Sequence, residues 1–280
     1  MYVSIGNIRY YVSPGFDSSN PERSPLILLH GFTGSSKDWD PLIQYYQTTF
    51  QPIAIDLIGH GKTDSPDNLE YYSMDAVLEQ LEEVLEQLKI DSAHWLGYSM
   101  GGRTALSFAA KFPLKFNSII LESATPGISN PQERNIRQQV DEQLAKFIET
   151  HTIEEFVERW LEQPIFETQK KLSREKQDQS RSMRLRNSRT GLANALRGFG
   201  TGRMPHLWEK LEDISAPVLL ITGKEDKKFT QIARRMEQSL PKSTHRIVED
   251  AGHNIHFERP EIFAEITTEF LAQQLESKQA

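Results

Sequence analysis

His94-Trp95-Leu96-Gly97-Tyr98-Ser99-Met100-Gly101-Gly102-Arg103 is the stretch that decides how this chain folds. A short apolar run ends in Gly-x-Ser-x-Gly, and a helical pattern opens directly behind it and extends to Phe112. In that strand–turn–helix context the serine sits on a tight, strained turn that lifts its hydroxyl clear of a sheet. Glycines flank the turn because neighbouring side chains would clash there. The turn also sets Ser99 at the positive N-terminal end of the following helix, where developing negative charge is favoured.

Working outward, similar apolar runs recur on both sides: Leu26–Leu29, Ile53–Ile55, Ser118–Leu121 and Val218–Ile221. They are continuous rather than alternating, as strands covered on both faces must be. Between them lie helical patterns, clearest over Met74–Leu88, where Val77, Leu78, Leu81, Val84, Leu85 and Leu88 fall at helical spacing. Strand–helix alternation predicts an α/β protein with a mostly parallel central sheet and helices on both faces. Tyr2–Ile5 and Ile8–Val12, joined by Gly6-Asn7, predict an edge hairpin. The rhythm breaks after Glu122. From Pro126 to Trp208 there are only polar amphipathic helical segments, and strands resume at Pro217. The expected organisation is a core from residues 1–125 and 209–280, with a helical cap from 126–208 over one end of the sheet. Pro260–Leu275 reads as a last helix with proline near its first position.

The 280 residues suit one core plus an insertion. No apolar run approaches the ~20 residues of a membrane span, and the first fifteen residues lack a signal-peptide layout. The net charge of −7 argues against nucleic acid as a partner. Zero cysteines exclude a disulfide framework, thiolate metal ligands and a cysteine nucleophile, and fit a reducing cytoplasm. A monomer is expected. Charge is uneven, however: Lys170 to Arg203 holds ten Lys or Arg against only Glu175 and Asp178. Such a segment is either a solvated helix face or a basic lip that steers anions.

A serine hydroxyl needs a base at neutral pH. Among eight histidines, His253 stands out in Asp250-Ala251-Gly252-His253, in a loop behind the strand-like His245–Val248 and before the last helix. His256 is the competitor, without a preceding glycine. The orienting acid should follow a strand lying between serine and histidine. Val218–Ile221 runs into Thr222-Gly223-Lys224-Glu225-Asp226, which selects Asp226 over Glu122 and Asp250. The order Ser99, Asp226, His253 is the one this fold requires. His30-Gly31-Phe32-Thr33-Gly34 lies where an oxyanion loop belongs, so the backbone N–H groups of Phe32 and Met100 are the expected oxyanion donors.

Over its full length the chain resembles the α/β-hydrolase superfamily, on Leu29–Phe32, Asp56–Gly61, Gly97–Gly102, Gly223–Asp226 and Gly252-His253. More narrowly it resembles the 2-succinyl-6-hydroxy-2,4-cyclohexadiene-1-carboxylate (SHCHC) synthases of menaquinone biosynthesis. That likeness rests on Gly97–Arg103, with tyrosine where many hydrolases of this fold carry histidine. It also rests on Thr125-Pro126-Gly127, Glu133–Arg137, Trp160–Phe166, Leu185-Arg186-Asn187, Gly200–Pro205 and Ala251–His256. The resemblance implies that Ser99, Asp226 and His253 form the catalytic triad. It implies that Tyr98, Arg103, Arg137, Trp160 and Arg186 line the pocket and hold substrate carboxylates, with Asn254 and Phe32 as further contacts. The substrate implied is a small tricarboxylate losing pyruvate, with no metal and no cofactor. Arginine suits it, because guanidinium forks bind carboxylates in bidentate fashion. The residues alone leave two other readings open: a serine hydrolase, whose chemistry the same triad serves, and a ligand receptor built on the fold.

Overall fold

The computed structural model describes residues 1–13 and 23–279. Strands β1 (Tyr2–Ile5) and β2 (Ile8–Tyr11) are followed by β3 (Ser24–Leu29), α1 (Asp40–Tyr46), β4 (Phe50–Ile55) and α2 (Met74–Gln87). Next come β5 (Ala93–Tyr98), α3 (Met100–Lys111) and β6 (Phe116–Glu122). Helices α4 (Pro131–Thr150), α5 (Ile153–Leu161), α6 (Arg174–Arg184) and α7 (Arg189–Phe199) then run without a strand among them. The chain closes with β7 (Val218–Gly223), α8 (Lys227–Ser239), β8 (Ser243–Val248), α9 (Ile255–Glu258) and α10 (Pro260–Gln279).

Six strands form a parallel sheet in the order β4-β3-β5-β6-β7-β8. Their side chains divide by parity between two apolar layers. Ile27, Leu29, Trp95, Ile119 and Leu220 pack with α2 and α3 on one face. Leu26, Leu28, Leu96, Ile120 and Leu219 pack with α1 and α10 on the other. This is why the inner strands read as unbroken apolar runs, whereas the edge strand β8 exposes Thr244, Arg246 and Ile247 and carries a mixed pattern. The hairpin expected at the sheet's edge forms a separate two-stranded antiparallel sheet, joined to the main one by the Val12–Ile55 bridge.

The chain runs from β3 outward to β4 and then back to β5 on β3's other side. Strand order therefore reverses between β3 and β5, and a crevice opens at the carboxyl ends of the strands at such a switch point. The loop after β3 and the turn after β5 meet there.

Helix α7 is held tightly to the core below it. A Cβ on Gly191 would lie 2.2 Å from the Gly59 carbonyl oxygen, and Gly59 itself has φ +78°. Asn187 adds hydrogen bonds at the same joint: its Nδ2 donates to Thr33 O (2.8 Å) and its Oδ1 accepts from Gly61 N (3.2 Å). Asn194 Nδ2 donates to Pro66 O at 3.2 Å. Backbone-to-backbone contact leaves no room for relaxation. Gly191→Ala is accordingly expected to cost about 1–3 kcal/mol, the usual penalty of overpacking. A thermal melt showing an unchanged midpoint would refute this packing argument.

Candidate active site

Ser99 sits between β5 and α3 with φ 49° and ψ −101°, a conformation that costs energy for any residue with a side chain. Close packing on both sides imposes it. A Cβ on Gly101 would lie 2.1 Å from Leu29 O, and one on Gly97 would lie 2.6 Å from the Gly101 backbone. The Ser99 N–H donates to Glu122 O at 2.8 Å, tying the turn to β6. Met100 opens α3, and the N–H groups of a helix's first turn lack intrahelical acceptors. Phe32 and Met100 line the same cavity.

His253 Nε2 lies 3.0 Å from Ser99 Oγ, and its Nδ1 lies 2.6 Å from Asp226 Oδ2. With Nδ1–H donating to the carboxylate, Nε2 carries the lone pair that can take the serine proton. Asp226 is itself held by capping α8, where its Oδ1 accepts from Phe229 N at 3.2 Å. The ring of Phe229 meets that of His253 edge-on at 4.5 Å. The loop carrying His253 is pinned by buried Glu258, which accepts from Gly252 N at 2.8 Å. The two candidates set aside in the sequence pair with each other. His256 Nδ1 lies 2.6 Å from Glu122 Oε2, and both side chains are buried. Asp250 is exposed.

A cavity of about 460 Å³ opens above Ser99. Its floor includes Tyr98, whose ring lies 5.5 Å from that of His253. Its roof includes Trp160, packed edge-on against Phe32 at 5.3 Å. The Trp160 indole N–H is buried and has no acceptor among the described residues. Arg103 and Arg137 line the wall. Arg103 is buried, and its Nη1 donates to Phe199 O at 3.1 Å. It makes no salt bridge among the described residues, and burial, reinforced by Arg137, pushes its guanidinium down to about 9. Arg137 Nε donates to Asp141 Oδ1 at 2.8 Å.

Two expected contacts lie elsewhere. Arg186 follows the end of α6, is exposed, and faces a separate shallow hollow with Lys37 and Lys62. The buried arginine of this stretch is Arg184, inside the helix, with its guanidinium 5.3 Å from the Phe166 ring centre. Asn254 does not line the cavity, because its side chain caps α9 by accepting from Phe257 N at 3.3 Å. The basic segment is also less of an anion lip than its composition suggests. Lys170 pairs with Glu162 and Glu167, Arg174 with Asp178, Arg181 with Glu158, and Arg197 with Glu142 and Glu149. Cations missed in the sequence are Lys228 and Arg235, which line the cavity from α8. Their seven-residue spacing along one helix face, just after Asp226, was the available signal.

A fold with a parallel sheet, a strained serine at the switch point and a hydrogen-bonded Ser–His–Asp relay defines the class: residues 24–260 match the family model described as alpha/beta hydrolase fold. Within that class, a Bacillus subtilis protein named putative 2-succinyl-6-hydroxy-2,4-cyclohexadiene-1-carboxylate synthase is 41% identical over 95% of this chain and 99% of its own. A synthase of that name from Photorhabdus laumondii is 31% identical over 90% and 86%. The solved structure of MenH from S. aureus superposes with TM-score 0.88 at 34% identity, covering 97% of this chain and 100% of its own. The chain belongs to this synthase family.

Beneath the loop after β3, His30 and His60 are fully buried. His30 donates from Nδ1 to Gly31 O at 2.8 Å and accepts Leu57 N at Nε2 (3.0 Å). Desolvation pushes His30 down to about 4, and desolvation with the neighbouring His30 pushes His60 to about 3. Both pKa values fall on folding, so the unfolded chain binds more protons. Their contribution to stability is intact above about 6.5 and is lost as pH falls towards the folded values. Asp38, pushed up to about 6 by burial, titrates with the opposite sign. His60→Asn should therefore flatten the pH dependence of the unfolding free energy, read from urea titrations between pH 6.5 and 4, by up to roughly 1.4 kcal/mol per pH unit. An unchanged slope would contradict the assignment of buried neutral imidazoles.

Proposed function

We propose that this protein eliminates pyruvate from 2-succinyl-5-enolpyruvyl-6-hydroxy-3-cyclohexene-1-carboxylate to give 2-succinyl-6-hydroxy-2,4-cyclohexadiene-1-carboxylate. The observation that carries this reading is Arg103. A guanidinium 7% exposed, one helical turn behind Ser99 and without a carboxylate of its own, is completed by an anionic ligand. Arg137, Lys228 and Arg235 on the same cavity support a substrate of several carboxylates, and the names of the relatives supply its skeleton.

The chemistry follows from the two ring systems. The substrate has a C3=C4 double bond, a hydrogen at C2 beside the succinyl ketone, and the enolpyruvyl oxygen at C5. Ser99, deprotonated through His253, removes the C2 proton. Negative charge develops on the ketone oxygen, towards the N–H groups of Phe32 and Met100 and the positive end of α3. As the charge returns, the double bonds settle at C2=C3 and C4=C5, and the C5–O bond breaks. The proton passes from His253 to the departing enolate, which tautomerises to pyruvate. Asp226 holds the imidazole in the tautomer that accepts at Nε2 and stabilises the imidazolium. Residues 126–208 serve as the cap that excludes water, with Trp160 over the reacting ring and Tyr98 beneath. General-base and electrostatic contributions suffice, and no acyl-enzyme forms. The absence of cysteine supports a reducing, cytoplasmic setting, where the chain acts as a monomer.

Pyruvate release from the enolpyruvyl tricarboxylate tests this directly, with a short-chain nitrophenyl ester run alongside. Wild-type protein should release pyruvate and cleave the ester feebly, and Ser99→Ala should lose at least ~10³-fold in pyruvate release. Arg137→Glu should raise KM for the tricarboxylate at least tenfold while leaving ester cleavage unaffected. Strong ester cleavage without pyruvate, or a trapped acyl-Ser99 during turnover, would return Ser99 to the role of a nucleophile.

A further inference from the structure

Asp141 is a carboxylate that neither the triad nor the arginines account for. It projects from α4 and is 3% exposed. Oδ1 accepts from Arg137 Nε at 2.8 Å, while Oδ2 is buried and has no partner among the described residues. A buried carboxylate oxygen left unsatisfied is costly, and native structures keep few of them. This oxygen lies against Gly200, just past the end of α7. A Cβ on Gly200 would lie 3.0 Å from Oδ2, and both Gly200 and Arg137 line the cavity above Ser99. Asp141 also borders the hollow on the outer face of α4, with Asn135, Glu142 and Arg197, but Gly200 and Arg137 border only the inner cavity. Phe199, whose carbonyl holds the Arg103 guanidinium, is the residue before Gly200. One corner of the cavity therefore brings together two guanidinium groups and a single free carboxylate oxygen.

Such a corner matches a ligand with an acid and an alcohol side by side. The guanidinium groups take a carboxylate, and Oδ2 can only accept, so it calls for an O–H or N–H donor. We propose that Asp141 is a specificity-determining residue that reads a hydroxyl group next to the carboxylate held by Arg103 and Arg137. This rests on the synthase reading for the ligand's identity. In the product named for the relatives, the C6 hydroxyl is borne on the ring carbon next to the C1 carboxylate. A β-hydroxy acid of that kind offers its carboxylate to the arginines and its O–H to Asp141. A deoxy ligand would leave the buried oxygen unpaired, which is how a hydrogen-bonding site rejects an analogue lacking the group.

The test is calorimetric binding of the cyclohexadiene product and of its 6-deoxy analogue to the full chain, with pyruvate release measured separately. Wild type should prefer the hydroxylated ligand roughly ten- to hundredfold. In Asp141→Asn, which puts an NH2 donor in place of Oδ2, and in Asp141→Ala, that preference should shrink to within about threefold. Arg137→Gln should weaken both ligands alike and keep the preference. If the Asp141 variants instead behave like Arg137→Gln, the carboxylate only tethers the arginine and the proposal fails. Equal binding of the two ligands by wild type, or binding of neither, would also overturn it. A preference that depends on Asp141 without pyruvate release would uphold the subsite while removing the synthase reaction.

Discussion

The approach of α3 to β5 and β3 is the constraint from which the rest of this structure follows. Two backbones pass so closely that Gly97 and Gly101 have no space for a Cβ, and Ser99 is forced to a positive φ between them. A strained residue costs about 1–3 kcal/mol and persists only where its surroundings over-determine it. Here the surroundings are β5, buried along its whole length, and α3, buried over ten of its twelve residues. The Ser99 N–H bond to β6 locks the turn from a third side. The packing energy of the core is thus used to hold one hydroxyl in an exposed, oriented position at the N-terminus of a helix. The loops after β3, β7 and β8 then converge on it because the parallel sheet ends all its strands at one face.

Charge in this molecule is managed by pairing. Imidazole and carboxylate meet in two buried pairs, His253 with Asp226 and His256 with Glu122, on opposite sides of one short loop. Only the first has a ring nitrogen bonded to the serine, and the second fixes the loop by accepting the His256 N–H as well. Four cations between Lys170 and Arg203, namely Lys170, Arg174, Arg181 and Arg197, are paired with nearby glutamates and aspartates. Arg103 and Arg184 are buried without an ion pair among the described residues, and Arg103 lines the cavity above the serine. An unpaired positive charge thus stands at the cavity wall, where low dielectric strengthens each electrostatic contact.

Legibility in the sequence followed locality. Serine, aspartate and histidine each announced themselves because each follows a strand and sits in a short loop whose glycine pattern is visible within six residues. The inner strands were legible because burial on both faces leaves a continuous apolar run. The hairpin was visible as two strands, but its attachment was not, since a single bridge at Val12 and Ile55 has no sequence pattern. Arg186 and Arg184 differ by two residues at a helix end. The direction each side chain takes depends on where α6 stops and what Phe166 packs against. The Asn254 side chain was equally ambiguous, as a polar residue before a short helix serves a cap as readily as a ligand.

By itself the sequence determined the layered α/β architecture, the serine's elbow, the order Ser99–Asp226–His253 and the helical stretch inserted between β6 and β7. Periodicity and turn chemistry act over a few residues and survive without any knowledge of neighbours. Tertiary structure alone decided that the two residues set aside, Glu122 and His256, bond to each other, and which arginines are left without ion pairs. It also decided that α8 contributes Lys228 and Arg235 to the cavity and that one buried oxygen of Asp141 has no partner among the described residues. Those outcomes depend on distances between residues far apart in the chain. Only the assembled sheet and the helices packed around it set such distances.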